Sequence, residues 1–280
     1  MKLARYGEPG QERPALVDAD GNLRDLSAHI QDVHPRMLDD AGLDFLRGLE
    51  PGSLPLVEGN PRLGPCVSSV EKFIGIGLNY TDHAAESGMP IPEEPIIFMK
   101  ASSCVSGPND PIEMPAGSIK TDWEVELGVV IGCAARNVDE HEALSYVAGY
   151  CTVNDVSERS WQLEGTGQWV KGKSYDTFGP IGPWLVTRDE IPDPQALKLW
   201  LDVNGQREQS GTTANMIFNV AHLVAFTSRF MTLKPGDILA TGTPPGVGMG
   251  CKPPRYLSAG DMVALEVEGL GVQNHTVMGG

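Results

Sequence analysis

The chain has 280 residues, 41% apolar and 21% charged, which is the composition of a folded protein with one large core. Its formal net charge of −16 argues against nucleic acid as a partner, because nucleic-acid binding requires clustered lysine and arginine. No apolar run approaches the ~18 residues of a membrane-spanning helix, and no signal-peptide core follows the N-terminus, so we expect a cytoplasmic protein without membrane contact.

Residues 1–66 differ in pattern from the rest of the chain. The segment "ALVDADGNLRDL" predicts two short strands with a turn near Asp20 and Gly21, and a short helix is predicted around residues 37–49. We therefore expect a small N-terminal β-rich domain at 1–66 and a larger domain at 67–280. A mere N-terminal extension of a single domain fits the same pattern.

From Lys72 onward the apolar runs are short and typical of strands. They include "FIGIGLN", "PIIFMK", "EVELGVVIG" and "VAGYCTVND", and "LWLDVNG" predicts a hairpin turn at Asn204 and Gly205. One clear helix is predicted, from about Ala214 to Phe230. The 33 glycines and 22 prolines indicate many turns. We predict an α+β fold that is mainly β, with a mixed sheet rolled or packed as a sandwich.

Two glutamates stand at the head of one apolar strand, in the stretch "TDWEVELGVV". Glu124 and Glu126 are two residues apart, and the period of two in a strand places both side chains on one face. Carboxylates this close repel each other unless a proton or a cation lies between them. The pattern is compatible with a metal site, and also with a solvated edge strand.

A third carboxylate, Asp155, ends the apolar strand "VAGYCTVND". It could cap a turn together with Asn154, or it could join the two glutamates. Three carboxylates with added waters are what a hard cation such as Mg²⁺ or Mn²⁺ prefers. We therefore predict that Glu124, Glu126 and Asp155 hold such an ion.

The stretch "NYTDHAAESG" predicts a short helix that Thr81 or Asp82 caps and that Gly88 ends. His83 and Glu86 are then at positions i and i+3 and lie side by side on its surface. A carboxylate beside an imidazole orients the ring and raises its basicity, which suits a general base acting on water. The alternative is an ordinary exposed helix pair.

Two glycine-containing segments could bind an anion. Residues 167–174 match the phosphate-loop pattern GxxxxGK[ST], but no apolar strand precedes them and "YDTFGPIGP" cannot form the helix that must follow. We therefore reject a phosphate loop, although Lys173 could face an anionic substrate as a single cation. The loop "ATGTPPGVGMG" could hold an anion on its amides, or it could be a tight turn.

Taken in this order, the motifs resemble the fumarylacetoacetate hydrolase family. The stretches that carry the resemblance are "GIGLNYTDHAAE", "DWEVELGVVIG", "GYCTVNDVSERSWQ", "GKSYDTFGPIGPWLVT", "LWLDVNGQ", "MIFNVAHLV" and "LKPGDILATGTPPGVGMG". They cover most of the chain from Lys72 to its end. The sequence of these stretches is most similar to members that act on diketo sugar acids such as 2,4-diketo-3-deoxy-L-fuconate. One departure is Gly179, where many members carry cysteine.

The resemblance implies a β-roll catalytic domain and a homodimer, with Mg²⁺ or Mn²⁺ on the three carboxylates. It also implies that His83 and Glu86 form a dyad on a mobile segment that closes over the substrate. Lys173 matches a family lysine beside the substrate carboxylate or enolate. The residues that match pocket-lining positions are Arg159, Gln162 and Thr243.

These expectations combine into one hypothesis, the hydrolytic C–C cleavage of a small anionic β-diketo acid such as an acylpyruvate. His83 would deprotonate a water that attacks the distal carbonyl, and the metal and Lys173 would stabilise the enolate that leaves. The family also contains decarboxylases, isomerases and hydratases, so oxaloacetate decarboxylation or isomerisation of a 2-oxo-dienoate is the alternative. A non-catalytic 2-oxo acid binding protein is a further alternative, and it would have no use for the dyad.

Overall fold

The computed structural model describes residues 1–280, with the side chain of Ser87 excepted. The strands are β1 (Lys2–Tyr6), β2 (Arg13–Val17), β3 (Leu23–Asp25), β4 (Phe73–Gly77), β5 (Ile96–Lys100), β6 (Val105–Ser106), β7 (Ile112–Glu113), β8 (Thr121–Asp122), β9 (Val125–Ile131), β10 (Val147–Asn154), β11 (Ser157–Glu158), β12 (Gly179–Thr187), β13 (Lys198–Val203), β14 (Gln206–Thr212), β15 (Ile238–Ala240), β16 (Met262–Val267) and β17 (Val272–Met278).

Helices are short. The α-helices are α1 (Asp40–Arg47), α2 (Thr81–Ser87), α3 (Arg159–Leu163), α4 (Trp169–Lys173) and α5 (Val220–Ser228). The 3-10 helices span Pro35–Met37, Pro51–Ser53, Ser102–Cys104, Glu140–Tyr146, Arg188–Glu190, Thr213–Asn215 and Gly248–Gly250. Within the described part of the chain, no helix has both the length and the apolar character to cross a membrane.

A 10-stranded mixed sheet forms the centre of the molecule, in the order β3-β2-β1-β12-β10-β9-β15-β4-β5, with β6 paired to β12. Every residue of β9 and β10 is buried, so these strands are covered on both faces. This explains why their sequences are continuous apolar runs and do not alternate. The sheet therefore carries a rigid, buried middle from which polar strand ends can project.

A second, 5-stranded sheet, in the order β14-β13-β16-β17-β7, packs against the first, with β13 and β16 lying against β9. Its strands do alternate between buried and exposed residues, as in β17, because only one face is covered. The hairpin between β13 and β14 turns at Asn204 and Gly205, which both have positive φ (54° and 75°), as predicted from the Asn-Gly pair. The predicted mainly β fold with mixed sheets is confirmed.

The predicted helix from about Ala214 to Phe230 is too long at both ends. A 3-10 turn at Thr213–Asn215 precedes it, and α5 begins only after Asn219, whose side chain accepts a hydrogen bond from the His222 N–H at 2.8 Å. Asparagine is a strong N-cap residue, so the helix start is set locally by this side chain and not by the apolar pattern.

The N-terminal strands are part of the large sheet, because β1 pairs with β12 as well as with β2. An ion pair adds to this attachment, because Arg62 Nη2 lies 2.6 Å from Asp110 Oδ2. The boundary between residues 66 and 67 stays a prediction.

Candidate active site

The antiparallel pairing of β9 and β10 explains why the three predicted ligands converge. Asn154 at the end of β10 pairs with Val125 at the start of β9, so the head of one strand meets the tail of the other. Glu124 and Glu126 flank Val125, and Asp155 follows Asn154 directly. The Asp155 N–H donates to the Glu124 carbonyl oxygen at 2.9 Å, which fixes the two chain segments together.

Glu124, Glu126 and Asp155 form one compact carboxylate cluster. Their ligand oxygens all lie within 4.8 Å of one another, and each residue is buried. The structure thus brings the three predicted residues together and away from bulk water, which a solvated edge strand would not do. Buried carboxylates at this spacing require compensating positive charge.

Three basic side chains supply part of this charge. Lys173 Nζ donates to Glu124 Oε2 at 2.7 Å and to Asp155 Oδ2 at 2.6 Å. Lys100 Nζ donates to Asp155 Oδ1 at 2.5 Å, and Arg159 Nη2 donates to Glu124 Oε1 at 2.7 Å. The expectation that Lys173 faces the substrate as an isolated cation is therefore incomplete, because its ammonium is buried between two carboxylates.

Glu126 differs from its neighbours because its hydrogen bond comes from a backbone amide, the Gly242 N–H at 2.8 Å. Burial and the charges of Asp155 and Glu124 raise the pKa of Glu126 well above its ordinary value. Burial opposes ionisation of Glu124 too, but Lys173 and Arg159 outweigh it and lower the pKa of that carboxyl to about 2. Glu126 is thus the carboxylate of the cluster that accepts no hydrogen bond from a basic side chain.

Arg159 and Gln162, the predicted pocket residues on α3, lie beside the cluster. The Arg159 guanidinium donates from Nε to Asp122 Oδ2 at 2.8 Å and from Nη1 to Gln162 Oε1 at 2.9 Å, besides its bond to Glu124. All three of its nitrogens therefore serve protein acceptors. Thr243, after β15, donates to the Val125 carbonyl at 2.9 Å and accepts from Gln209 at 2.8 Å.

A cavity of about 150 Å³ opens over the carboxylates. Of the predicted residues, the three carboxylates, His83, Arg159, Gln162, Lys173 and Thr243 line it. Glu86 is absent from the lining and lies behind His83, with its Oε2 3.0 Å from His83 Nδ1. The predicted i, i+3 pair is thus present, and its histidine borders the same cavity as the carboxylates.

The helix that carries this pair starts differently from the prediction. Its N-cap residue is Tyr80, which makes no side-chain cap, whereas Asp82 bonds across to the Asn215 side chain at 2.8 Å. Gly88 ends the helix in the left-handed region with φ 63°, as predicted. Asp82 therefore tethers α2 to the 3-10 turn that contains Asn215, and its other oxygen accepts the His83 N–H at 3.0 Å from within the first turn and not from the N-cap position.

The glycine-rich loop "ATGTPPGVGMG" does hold anions, and both belong to the protein. The Gly246 N–H donates to Glu86 Oε1 at 3.0 Å, and the N–H groups of Gly248 and Met249 donate to Asp122 at 2.7 and 3.0 Å. Gly246 has φ 101°, and a Cβ there would lie 2.0 Å from the Glu208 carbonyl oxygen. Only glycine fits this position, so the loop sequence serves to place these amides.

The phosphate-loop pattern at 167–174 is not a nucleotide cradle in the structure either. It forms the short helix α4, and the Lys173 ammonium is directed at carboxylates of the cluster. We expect calorimetry to detect no ATP or GTP binding at low micromolar concentrations, with or without Mg²⁺. Tight nucleotide binding that is lost in Lys173→Ala would contradict this prediction.

Two charged residues of the site were missed at the sequence level. Lys100 ends the strand "PIIFMK", and a lysine that closes an apolar run and becomes fully buried is rare without a carboxylate partner. Asp122 precedes the two glutamates in "TDWEVE", and it anchors both Arg159 and the glycine-rich loop. Both residues stand out in their local sequence, but the charged residues that pair with them lie far away in the sequence.

The departure at Gly179 has a steric reason. A Cβ at this position would lie 2.7 Å from Cys104 Sγ and 2.7 Å from the Phe73 ring. The Cys104 side chain is fully buried and fills the space that a side chain at position 179 would need. Glycine at 179 and cysteine at 104 are therefore complementary in this core.

Comparison with known proteins identifies a matching family and similar proteins. Residues 72–278 match the family described as Fumarylacetoacetate (FAA) hydrolase C-terminal. A Burkholderia multivorans protein, provisionally named as a hydrolase, is 66% identical over 274 residues, covering 98% of this chain and 97% of that protein.

Two solved structures have the same fold over the whole chain. Maleylpyruvate hydrolase from Sphingobium sp. SYK-6, in complex with manganese(II) and pyruvate, is 29% identical with a TM-score of 0.84 and covers 100% of both chains. The 5-carboxymethyl-2-hydroxymuconate delta-isomerase from Mycobacterium smegmatis is 33% identical with a TM-score of 0.78, covering 100% of this chain and 99% of that one. A hydrolase and an isomerase thus share this architecture.

Proposed function

Because this chain belongs to the fumarylacetoacetate hydrolase family, we propose that it is a Mg²⁺- or Mn²⁺-dependent hydrolase that cleaves a C–C bond of an acylpyruvate-type β-diketo acid. The observation that carries the proposal is the His83–Glu86 pair at the edge of the cavity above the carboxylate cluster. A binding protein needs only the carboxylates, whereas a hydrolase needs a base beside the bound acid.

Glu124, Glu126 and Asp155 are the residues that would hold the ion. Their oxygens are hard ligands, and the raised pKa of Glu126 marks a place where positive charge is missing. Maleylpyruvate hydrolase was solved with manganese and pyruvate, which supports the same assignment here. When bound, the ion would supply Lewis-acid polarisation of the 2-oxo acid and stabilise developing negative charge.

His83 would act as the general base. Its Nδ1 faces Glu86, which leaves Nε2 to accept a proton from a water in the cavity. The water oxygen attacks the distal carbonyl carbon, and the bond between that carbon and the pyruvate methylene breaks. The electron pair of that bond passes to the departing pyruvate enolate, which takes up a proton to give pyruvate. The acyl group, which now carries the water oxygen, leaves as a carboxylic acid.

Lys173 would help to place the substrate and to stabilise the enolate. An ammonium has three donor hydrogens, and the bonds to Glu124 and Asp155 use two of them. Because Lys173 also lines the cavity, the third hydrogen remains for a substrate oxygen. Arg159 would position Glu124 and Gln162, because Nη2 donates to the first and Nη1 to the second.

A screen of substrates tests the proposal. Acylpyruvates, diketo sugar acids, oxaloacetate and a 2-oxo-dienoate would be incubated with the Mg²⁺-loaded protein, and products would be identified by mass. We expect pyruvate and a carboxylic acid from an acylpyruvate. Decarboxylation or isomerisation without any cleavage of a diketo acid would instead support the alternative function from the same family. An isomerase relative shares the fold.

Proton release accompanies metal binding if Glu126 is a ligand. The raised pKa of Glu126 means that its proton must leave before the carboxylate can bind a cation, so affinity is expected to rise with pH while this group ionises. Titration calorimetry with Mn²⁺ in buffers of different ionisation enthalpy measures the released protons. Glu126→Gln should abolish the release, and metal binding without proton release in the unsubstituted protein would contradict the assignment.

A further inference from the structure

The cavity has two chemically different halves. The inner half contains the carboxylate cluster with its basic partners. The outer, more exposed half is formed by apolar side chains from separate elements, namely Met89, Ile96, Phe98, Leu163, Trp169 and Met249. The two halves meet at Phe98, because Lys173 Nζ lies 5.2 Å from the centroid of that ring. The Phe98 and Trp169 rings are in contact, with centroids 5.5 Å apart. A substrate bound at the carboxylates through its 2-oxo acid end therefore places its distal group against an apolar wall.

The positive charges of Lys173 and Arg159, which line the cavity, are already offset by buried carboxylates of the protein. Lys173 serves Glu124 and Asp155, and Arg159 directs each of its three nitrogens to a protein oxygen. His83 is held by Glu86. Among the residues that the structure describes, no other lysine, arginine or histidine lines the cavity. A second carboxylate on the substrate would thus lose part of its hydration against apolar side chains, with no excess positive charge of the protein to compensate it.

We infer that the natural substrate carries a single carboxylate and that its distal acyl group is uncharged and apolar, such as an alkyl or aryl chain. The inference rests on the proposed function for the orientation of the substrate. It excludes 2-oxo dicarboxylates as preferred substrates. It also argues against the diketo sugar acids that the sequence resemblance suggested, because a polyhydroxylated tail needs hydrogen-bond partners that this wall does not offer.

Binding tests the inference without any turnover. Titration calorimetry of the Mn²⁺-loaded protein would compare 2-oxohexanoate with 2-oxoadipate, which have the same number of carbons but one and two carboxylates. We expect the monoacid to bind at least about tenfold more tightly, which is the usual scale of discrimination in an apolar pocket. Equal or tighter binding of 2-oxoadipate overturns the inference.

A variant at the wall provides the matched comparison. Leu163 lies at the end of α3 and is 44% exposed, so Leu163→Lys adds a cation beside the outer half without burying it in the core. We expect Leu163→Lys to shift the preference at least about tenfold toward 2-oxoadipate relative to Leu163→Met, with both variants unfolding near the temperature of the unsubstituted protein. An unchanged preference would overturn the placement of the distal group against this wall.

Cleavage assays separate this inference from the proposed reaction. The two substrates would be 2,4-dioxoheptanoate and 2,4-dioxoheptanedioate. Like 2-oxohexanoate and 2-oxoadipate, they have the same number of carbons but one and two carboxylates. If both are cleaved and the diacid is preferred, the hydrolase proposal stands and the inference falls. If neither is cleaved while 2-oxohexanoate still binds more tightly than 2-oxoadipate, the inference stands and the hydrolase proposal falls.

Discussion

His83→Ala is expected to lower acylpyruvate hydrolysis by about 10²–10⁴-fold, the usual contribution of a general base, while metal and 2-oxo acid binding persist. The ring of His83 lines the cavity, and Glu86 holds its Nδ1 at 3.0 Å, so the substitution removes the group that would accept the proton of water. The carboxylate cluster makes no hydrogen bond to this side chain and should keep its geometry. Steady-state kinetics on an acylpyruvate measures the loss.

Oxaloacetate provides the internal control for this variant. Its decarboxylation needs an electron acceptor but no activated water, so any such activity should fall much less than hydrolysis. Glu86→Gln serves as a matched variant, because glutamine can still accept the Gly246 N–H bond but no longer supports positive charge on the imidazole. We expect a smaller loss than in His83→Ala. If His83→Ala cleaves an acylpyruvate nearly as fast as the unsubstituted protein, His83 does not activate the water.

Glu126→Ala is expected to abolish metal-supported activity, because one of three carboxylate ligands is lost. Glu126 is the best choice for this test for a structural reason. Removal of Asp155 would leave buried Lys100 without its carboxylate partner, and removal of Glu124 would take one partner each from Lys173 and Arg159. Glu126, by contrast, accepts only the Gly242 N–H. The variant should therefore stay folded, as circular dichroism and thermal unfolding would show.

Chelation provides the complementary measurement. Activity should vanish in excess chelator and return with Mg²⁺ or Mn²⁺ in the unsubstituted protein but not in Glu126→Ala. Glu126→Gln is the isosteric control, since it keeps an acceptor for Gly242 but lacks the charge. Full activity in excess chelator, in protein shown by elemental analysis to contain no metal, would contradict metal dependence.

The parts of the site that follow from short-range patterns could be predicted from the sequence. Glu124 and Glu126 lie on one face because strands have a period of two, and His83 meets Glu86 because helices have neighbours at i+3. Asp155 joined the prediction because it ends an apolar strand. Each of these signals lies within a few residues of chain, where backbone geometry alone decides what is adjacent.

The compensating charges could not be predicted in the same way. Lys100 and Lys173 reach Asp155 from positions 55 and 18 residues away, on β5 and α4. Such contacts depend on how the sheet and the short helices pack, and no periodicity in the sequence encodes that arrangement. The attachment of β1 to β12 is likewise a long-range pairing, which the apolar pattern of residues 1–66 does not specify.

The glycine-rich loop contacts both parts of the proposed active site. Its Gly246 amide holds Glu86, behind the histidine, and its Gly248 amide holds Asp122, behind the arginine that contacts Glu124. These two amides are two residues apart on one backbone, so one short segment holds both the carboxylate beside His83 and the carboxylate beside Arg159. A substitution that distorts this segment is therefore expected to disturb the proposed base and the arginine at the carboxylate cluster together.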